Sequence, residues 1–232
     1  MNKIKYLIKF INKEKYVKDL INIDLYMNPA CFYHKAEARS LQWDYSEGSI
    51  GDFCGYKNSE SPIWCCTAIF EENIVNNTII LDKKILEDFN CKNGYAVIIN
   101  VDNFFNAINT NPQNYYALTY GLVKYGPKNT ESIIKDENFA SALFIKYPKF
   151  SYQQEFRICI ACKCDKIFDK DINNVFGLGT EQEIVVGYHP FIYKIQNIKE
   201  YAQVLTSKDF IKNDEIRIDL KILNKKIFNL KN

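Results

Sequence analysis

A glutamine, a glutamate and an arginine alternate along the stretch FSYQQEFRICI, from Phe150 to Ile160. The stretch predicts a β-strand, and side chains two residues apart on a strand share a face. Gln153, Glu155 and Arg157 would therefore lie together, where an amide, a carboxylate and a planar cation can bind a polar substrate. The alternative is the solvated face of an amphipathic strand that carries a Glu–Arg pair. The spacing fits both interpretations.

The opposite face of this predicted strand is apolar. It carries Tyr152, Phe156, Ile158 and Ile160, and only Gln154 interrupts the apolar series. Such an alternation is typical of a strand with one face in the hydrophobic core.

Arginine is rare in this chain, which takes most of its positive charge from lysine. Its arginines are Arg39, Arg157 and Arg217. A guanidinium binds carboxylates and phosphates through two parallel hydrogen bonds, whereas a lysine suffices for solubility. Arg157 is therefore predicted to make a specific contact.

Three carboxylates lie close together in the Gly- and Ser-rich segment 40–61. Asp44, Glu47 and Asp52 are oxygen ligands of the kind that Mg²⁺ prefers, and together with Glu155 they would support a metal-dependent nuclease. Carboxylates in such a loop are more often simply solvated, so we predict no metal centre. The nuclease remains an alternative function.

The composition predicts a folded, cytoplasmic protein. Hydrophobic residues make up 47% of the 232 residues and the net charge is +2, without a basic block that would indicate nucleic-acid or membrane partners. The N-terminus lacks the features of a signal peptide, and no run approaches the roughly 20 apolar residues of a membrane span. The eight cysteines are predicted to be reduced, and the spacing of Cys159, Cys162 and Cys164 gives no complete zinc pattern.

Hydrophobic periodicity predicts short strands and helices in irregular order. The predicted strands are Lys3–Ile11, Asp24–Asn28, Ile63–Phe70, Tyr95–Val101, Tyr115–Tyr125, a strand through Gln153–Glu155, Glu183–Val186 and Ile216–Leu220 at a sheet edge. The predicted helices are Lys13–Asn22, Ala30–Ala38, Leu81–Phe89, Phe104–Ile108 with Asp102 as its cap, and Phe139–Ile145. The strands outnumber the helices and their spacing is too short for repeated parallel crossovers. We therefore predict one α+β domain over residues 1–232, with a mostly antiparallel curved sheet and a possible extension from about residue 197.

Three motifs carry a resemblance to known proteins: DLYMNP at Asp24–Pro29, DYSEG at Asp44–Gly48, and FSYQQEFRI at Phe150–Ile158. Together they resemble a group of poorly characterised bacterial and phage proteins with LYMN…D-x-x-E-G and F-x-x-Q-x-E-x-R motifs. The initial strand–helix–strand and the late Gln-x-Glu strand also resemble the ADP-ribosyltransferase fold. The resemblance covers about residues 5–160.

The resemblance implies an enzyme that consumes NAD, for example a toxin or a phage-defence protein, with a protein or nucleic acid as acceptor. Breaking the nicotinamide–ribose bond builds positive charge on the ribose, which a carboxylate stabilises. The resemblance gives that role to Glu155 and acceptor orientation to Gln153. It assigns NAD contacts to Arg157, Tyr26, Asn28, Asp44 and Glu47, with Tyr26 in an aromatic wall.

The first strand departs from the motif of such enzymes, which places a histidine or an arginine there. This chain has only Lys5 and Lys9 at that place. A binding or regulatory module that keeps the fold without catalysis is therefore the main alternative to an NAD-consuming enzyme.

Overall fold

The computed structural model describes residues 3–22, 24–30, 61–89, 91–109, 117–126, 143–161, 191–195 and 198–223. The strands are β1 Ile4–Ile11, β2 Asp24–Pro29, β3 Pro62–Phe70, β4 Ile74–Val75, β5 Thr78–Leu81, β6 Tyr95–Asn100, β7 Ala117–Leu122, β8 Lys124–Tyr125, β9 Ile145–Lys146, β10 Glu155–Ala161, β11 Phe191–Lys194, β12 Ala202–Thr206, β13 Ile211–Lys212 and β14 Glu215–Asp219. The α-helices are α1 Glu14–Ile21, α2 Lys84–Asp88, α3 Val101–Asn109, α4 Ile198–Tyr201, α5 Ser207–Phe210 and α6 Leu220–Leu223. The 3₁₀ helices of the described residues include Glu71–Asn73, Cys91–Asn93 and Pro148–Gln153.

Strand β3 lies at the centre of the main sheet. Thr67 pairs with Ile8 of β1 on one edge of β3 and with Glu155 of β10 on the other. Further out, β6 and β12 extend the sheet beyond β1, and β7 extends it beyond β10. Every pairing in this sheet is antiparallel among the described residues, which confirms the prediction of an α+β fold with antiparallel sheets.

The two faces of the main sheet are covered by different elements. Leu7, Trp64 and Phe156 lie on what we call the helix-covered face, where they pack against residues of α1, α3 and α4. Ile8 and Ile69 lie on the opposite face, which we call the sheet-covered face, and pack against a second, smaller sheet. Both faces are therefore buried near β3, where a polar side chain lies inside the protein, whereas Tyr26 of β2 is 52% exposed.

The second sheet has the order β13-β14-β5-β4. Its hairpins turn at Asn76–Asn77 and Asn213–Asp214, all four residues with positive φ, as a type I′ turn requires. The periodicity of β14 was predicted correctly, but its place is wrong because it pairs with β5 and not with the edge of the main sheet. Strand β12 from the same part of the chain pairs with β6 inside the main sheet.

The strand predicted from Phe150 to Ile160 begins only at Glu155. Pro148–Gln153 instead forms a 3₁₀ helix that starts on a proline, whose fixed φ suits a first helical turn. Gln154 then adopts a left-handed conformation with φ 45°, which redirects the chain into β10. Tyr152 consequently does not share a face with Phe156, and packs toward the second sheet.

Several other boundaries differ from the prediction for local reasons. The helix predicted from Leu81 starts at Lys84, because Leu81 completes β5. Asn100 caps α3 in place of Asp102, since its Oδ1 accepts the Asn103 N–H at 3.2 Å. Ile145 lies in a short strand, and Val123 separates β7 from β8 in the predicted long strand. The predicted strand Glu183–Val186 and most of the predicted helices Ala30–Ala38 and Phe139–Ile145 lie outside the described residues.

The helices that the structure describes include none long and apolar enough to cross a membrane.

Candidate functional site

Glu155 and Arg157 project from β10 onto the sheet-covered face. Arg157 lies directly opposite Cys65 of β3 and Gly121 of β7. The accessible surface is 6% for Glu155 and 1% for Arg157, so this face is not solvated. Two apolar clusters flank the Glu155–Arg157 pair. One includes Ile69, and the other contains Ile63, Leu143 and Cys159. The interpretation as a solvent-facing Glu–Arg pair is therefore wrong.

Two cations share the carboxylate of Glu155. The Arg157 Nε donates to Oε1 of Glu155 at 2.6 Å, and its Nη1 donates to the carbonyl oxygen of Leu143. The Lys146 Nζ lies 2.9 Å from Oε2 of Glu155, in an ion pair without hydrogen-bond alignment. Lys146 is also buried, so the three charged groups form a compact cluster that is largely removed from water.

The cluster continues through Gln153 to α2. The Lys146 Nζ donates to Oε1 of Gln153 at 3.2 Å, and Nε2 of Gln153 donates to Oδ2 of Asp88 at 3.1 Å. The Tyr152 hydroxyl donates to the same Asp88 oxygen. We call Asp88, Lys146, Gln153, Glu155 and Arg157 the charge network. Its charges alternate in sign from Asp88 to Arg157 and sum to zero.

The charge network keeps Glu155 ionised. Burial on its own would raise the pKa of this carboxyl, but the nearby Arg157 and Lys146 charges outweigh it and hold the pKa well below its usual range. The Glu155 N–H also donates to the Tyr125 hydroxyl at 2.8 Å. Burial, followed by the nearby Glu155 carboxylate, raises the pKa of Tyr125 far above its usual value, so the phenol stays protonated.

The other predicted NAD contacts do not meet Glu155 among the described residues. Asn28 of β2 pairs with Ile63 of β3, and on its other side Ile63 pairs with Cys159 of β10. Because Cys159 is four residues from Glu155, Asn28 lies about 13 Å further along the sheet. Tyr26 precedes Asn28 on β2 and is 52% exposed. Asp44 and Glu47, like Asp52 of the alternative metal site, lie outside the described residues.

Lys9 occupies the face opposite Glu155. It follows Leu7 by two residues and lies beside Trp64, with its Nζ 5.4 Å from the ring centroid. The same Nζ donates to the carbonyl oxygen of Cys65 at 2.6 Å. Lys9 therefore has structural contacts of its own and does not contribute to a pocket around Glu155.

Sequence reasoning missed Lys146 and Asp88, which complete the charge network. Lys146 directly follows the apolar segment ALFI, and a lysine is seldom buried without a partner, so nothing in the sequence indicated its burial. Asp88 gave no signal, since it lies 65 residues from its partner Gln153. The described residues contain no group of three or more His, Cys, Asp or Glu side chains that could hold a metal ion.

Comparison of the chain with protein-family models, with curated proteins and with solved structures found no match. The geometry of the charge network therefore carries the functional argument.

Proposed function

We propose that this chain is a non-catalytic binding or regulatory module in which the charge network is a structural element. The observation that carries the proposal is the state of Glu155. Its side chain is 8% exposed, and each carboxylate oxygen lies within 2.9 Å of a buried cation. Such a carboxylate serves its neighbours within the protein, because both of its oxygens lie against buried cations.

The chemistry of NAD cleavage supports this proposal. A catalytic carboxylate must stabilise positive charge that develops on the ribose, and it does so best when no other cation compensates it. Lys146 and Arg157 lie 2.9 Å and 2.6 Å from the two carboxylate oxygens of Glu155. Their fields oppose a third positive charge, which disfavours the transition state.

The second candidate is an ADP-ribosyltransferase-like enzyme that consumes NAD, as a toxin or a phage-defence protein. One observation favours it: Gln153, Glu155 and Arg157 converge on one cluster, and Glu155 is ionised at neutral pH. This candidate requires Lys146 to leave Glu155 so that NAD can reach the carboxylate. The acceptor would be a protein or a nucleic acid.

Nicotinamide release distinguishes the two candidates. Purified full-length protein is incubated with NAD, with and without a cell extract as a source of acceptors, and free nicotinamide is quantified. The module predicts no release above the buffer rate for the wild type or for Glu155→Gln. Release by the wild type that Glu155→Gln abolishes would refute the module and establish the enzyme.

A further inference from the structure

Asn93 and Gly94 form the only Asn-Gly pair of the chain. They lie where the 3₁₀ helix Cys91–Asn93 ends and strand β6 is about to begin. Asn93 is exposed, and its side-chain amide makes no hydrogen bond with any residue in the described part of the chain. This amide is therefore able to turn toward the backbone of Gly94.

Gly94 is buried and has no room for a side chain. A Cβ atom built on Gly94 would lie 2.8 Å from the carbonyl oxygen of Ile11, which is too close for non-bonded atoms. The carbonyl oxygen of Gly94 also accepts the N–H of Ser207, the first residue of α5, at 3.0 Å. The packing at the start of β6 therefore requires a glycine after Asn93.

An asparagine that precedes a glycine is chemically labile, because no Cβ of the next residue obstructs attack on its side chain. The backbone nitrogen of Gly94 attacks Cγ of Asn93, the bond from Cγ to Nδ2 breaks, and ammonia leaves with the backbone proton. Water then opens the resulting five-membered succinimide. Opening at one carbonyl gives aspartate, whereas opening at the other gives isoaspartate, in which the main chain is one carbon longer.

The 3₁₀ helix that carries Asn93 is suited to open for this reaction. It has three residues, and 3₁₀ hydrogen bonds have poorer geometry than those of an α-helix. Such an exposed single turn opens locally at a small fraction of the free energy of global unfolding. Asn93 is its last residue, so the opening leaves the ladder of β6 intact.

We propose that Asn93 is a site of spontaneous deamidation, and that isoaspartate at this position loosens the junction between β6 and α5. The hydrogen bond from Ser207 to Gly94 is the first contact to be lost. This inference goes beyond the proposed function and does not involve the charge network.

The loss follows from what surrounds the lengthened backbone. Tyr95, the residue after Gly94, pairs with Ile11 of β1 on one side and with Thr206 of β12 on the other. Because both pairings hold Tyr95 in place, the extra carbon displaces Gly94. Gly94 already lies against Ile11, so the displacement moves it away from Ser207.

Incubation of the full-length protein in mildly alkaline buffer tests the site, because the attacking nitrogen then loses its proton more readily. Peptide mapping by mass spectrometry is expected to show a gain of about 1 Da at Asn93. An isoaspartate-specific carboxyl methyltransferase should label the same peptide. Asn93→Gln is the matched control, since the longer side chain would have to form a less favourable six-membered ring. An intact Asn93 after the incubation, or equal labelling of this peptide in Asn93→Gln, would overturn the assignment.

Urea unfolding tests the structural consequence and separates the backbone change from the charge. The isoaspartate fraction, isolated by chromatography, is expected to unfold at a lower urea concentration than the fresh protein. Asn93→Asp carries the same charge on a normal backbone, and should unfold at the wild-type midpoint because position 93 is exposed. An isoaspartate fraction as stable as the fresh protein, or an equal loss in Asn93→Asp, would overturn the proposed effect on the junction.

Discussion

The position of Lys146 determines what Glu155 can do. A carboxylate with one arginine partner can still accept a ligand through its second oxygen, but here Lys146 lies 2.9 Å from that oxygen. Both cations are more than nine-tenths buried, so water does not screen the interaction as it does at a surface. At the residue scale, Glu155 therefore balances two buried charges.

Lys146→Met tests the coupling within this group. On its own it should lower the free energy of unfolding by about 1–3 kcal/mol, because Glu155 loses one charged partner and keeps Arg157. In a Glu155→Gln background the same change should cost less, since Lys146 has already lost its anion. Urea unfolding of the wild type, the two single variants and the double variant gives the coupling energy between Lys146 and Glu155.

Lys149→Met, an exposed lysine three residues away, is the matched control for Lys146→Met and should change stability by less than about 0.5 kcal/mol. If Lys146→Met and Glu155→Gln are additive within about 0.5 kcal/mol, the two residues do not form one energetic unit.

The depressed pKa of Glu155 predicts an acid-sensitive stability. The folded-state pKa lies below the unfolded value of about 4.3, so the stabilisation is present above that pH and is lost as the pH falls toward the folded value. Wild-type stability should therefore fall more steeply between pH 5 and pH 3 than that of Glu155→Gln, as measured by urea unfolding across that range. Parallel curves for the two proteins would contradict the prediction.

The elements show which features of the fold a sequence pattern can predict. Strands β1, β3 and β6 and helix α1 were predicted almost to their ends, because each has a clear period or a long apolar run. The 3₁₀ helix Pro148–Gln153 was mistaken for strand because its Gln and Tyr continue the alternation of β10. Gln153, Glu155 and Arg157, which were predicted to share a strand face, do lie in one cluster. Gln153 is connected to Glu155 by their common partner Lys146, and not because the two alternate along one strand.

The second sheet was missed because its strands are short. β4 and β13 have two residues each, which is too few to establish a hydrophobic period. Such short strands can be recognised only from the type I′ turns beside them. The turn residues Asn76 and Asn77 were the available signal, since asparagine tolerates positive φ.

Asn77 provides a test at the scale of this hairpin. Its φ of 62° suits glycine, so Asn77→Gly should keep or raise the thermal midpoint, whereas Asn77→Ala should lower stability by about 1 kcal/mol. Both variants lose the same side-chain amide, so the difference between them reports the backbone conformation. Equal midpoints for the two variants would argue against a left-handed residue at this turn.

At the scale of the whole molecule, the main sheet places the predicted NAD residues on different faces and at different positions along β3. Lys9 lies on the helix-covered face, whereas Glu155 lies on the sheet-covered face. Tyr26 and Asn28 share the sheet-covered face with Glu155, but lie toward the far end of β3. The sequence places residues on strands but does not tell which strands become neighbours, so these distances were not predictable.

The unfolding free energy of Glu155→Gln, measured by urea denaturation at pH 7, tests the central claim most directly. If Glu155 has a structural role, Glu155→Gln should lower the unfolding free energy by about 3–5 kcal/mol, because the change leaves Lys146 and Arg157 buried without their anion. Glu215→Gln removes the partner of the exposed Arg217 and should cost less than about 0.5 kcal/mol. If Glu155→Gln is as stable as the wild type or more stable, as expected for a carboxylate kept for catalysis at the expense of stability, the structural account is contradicted.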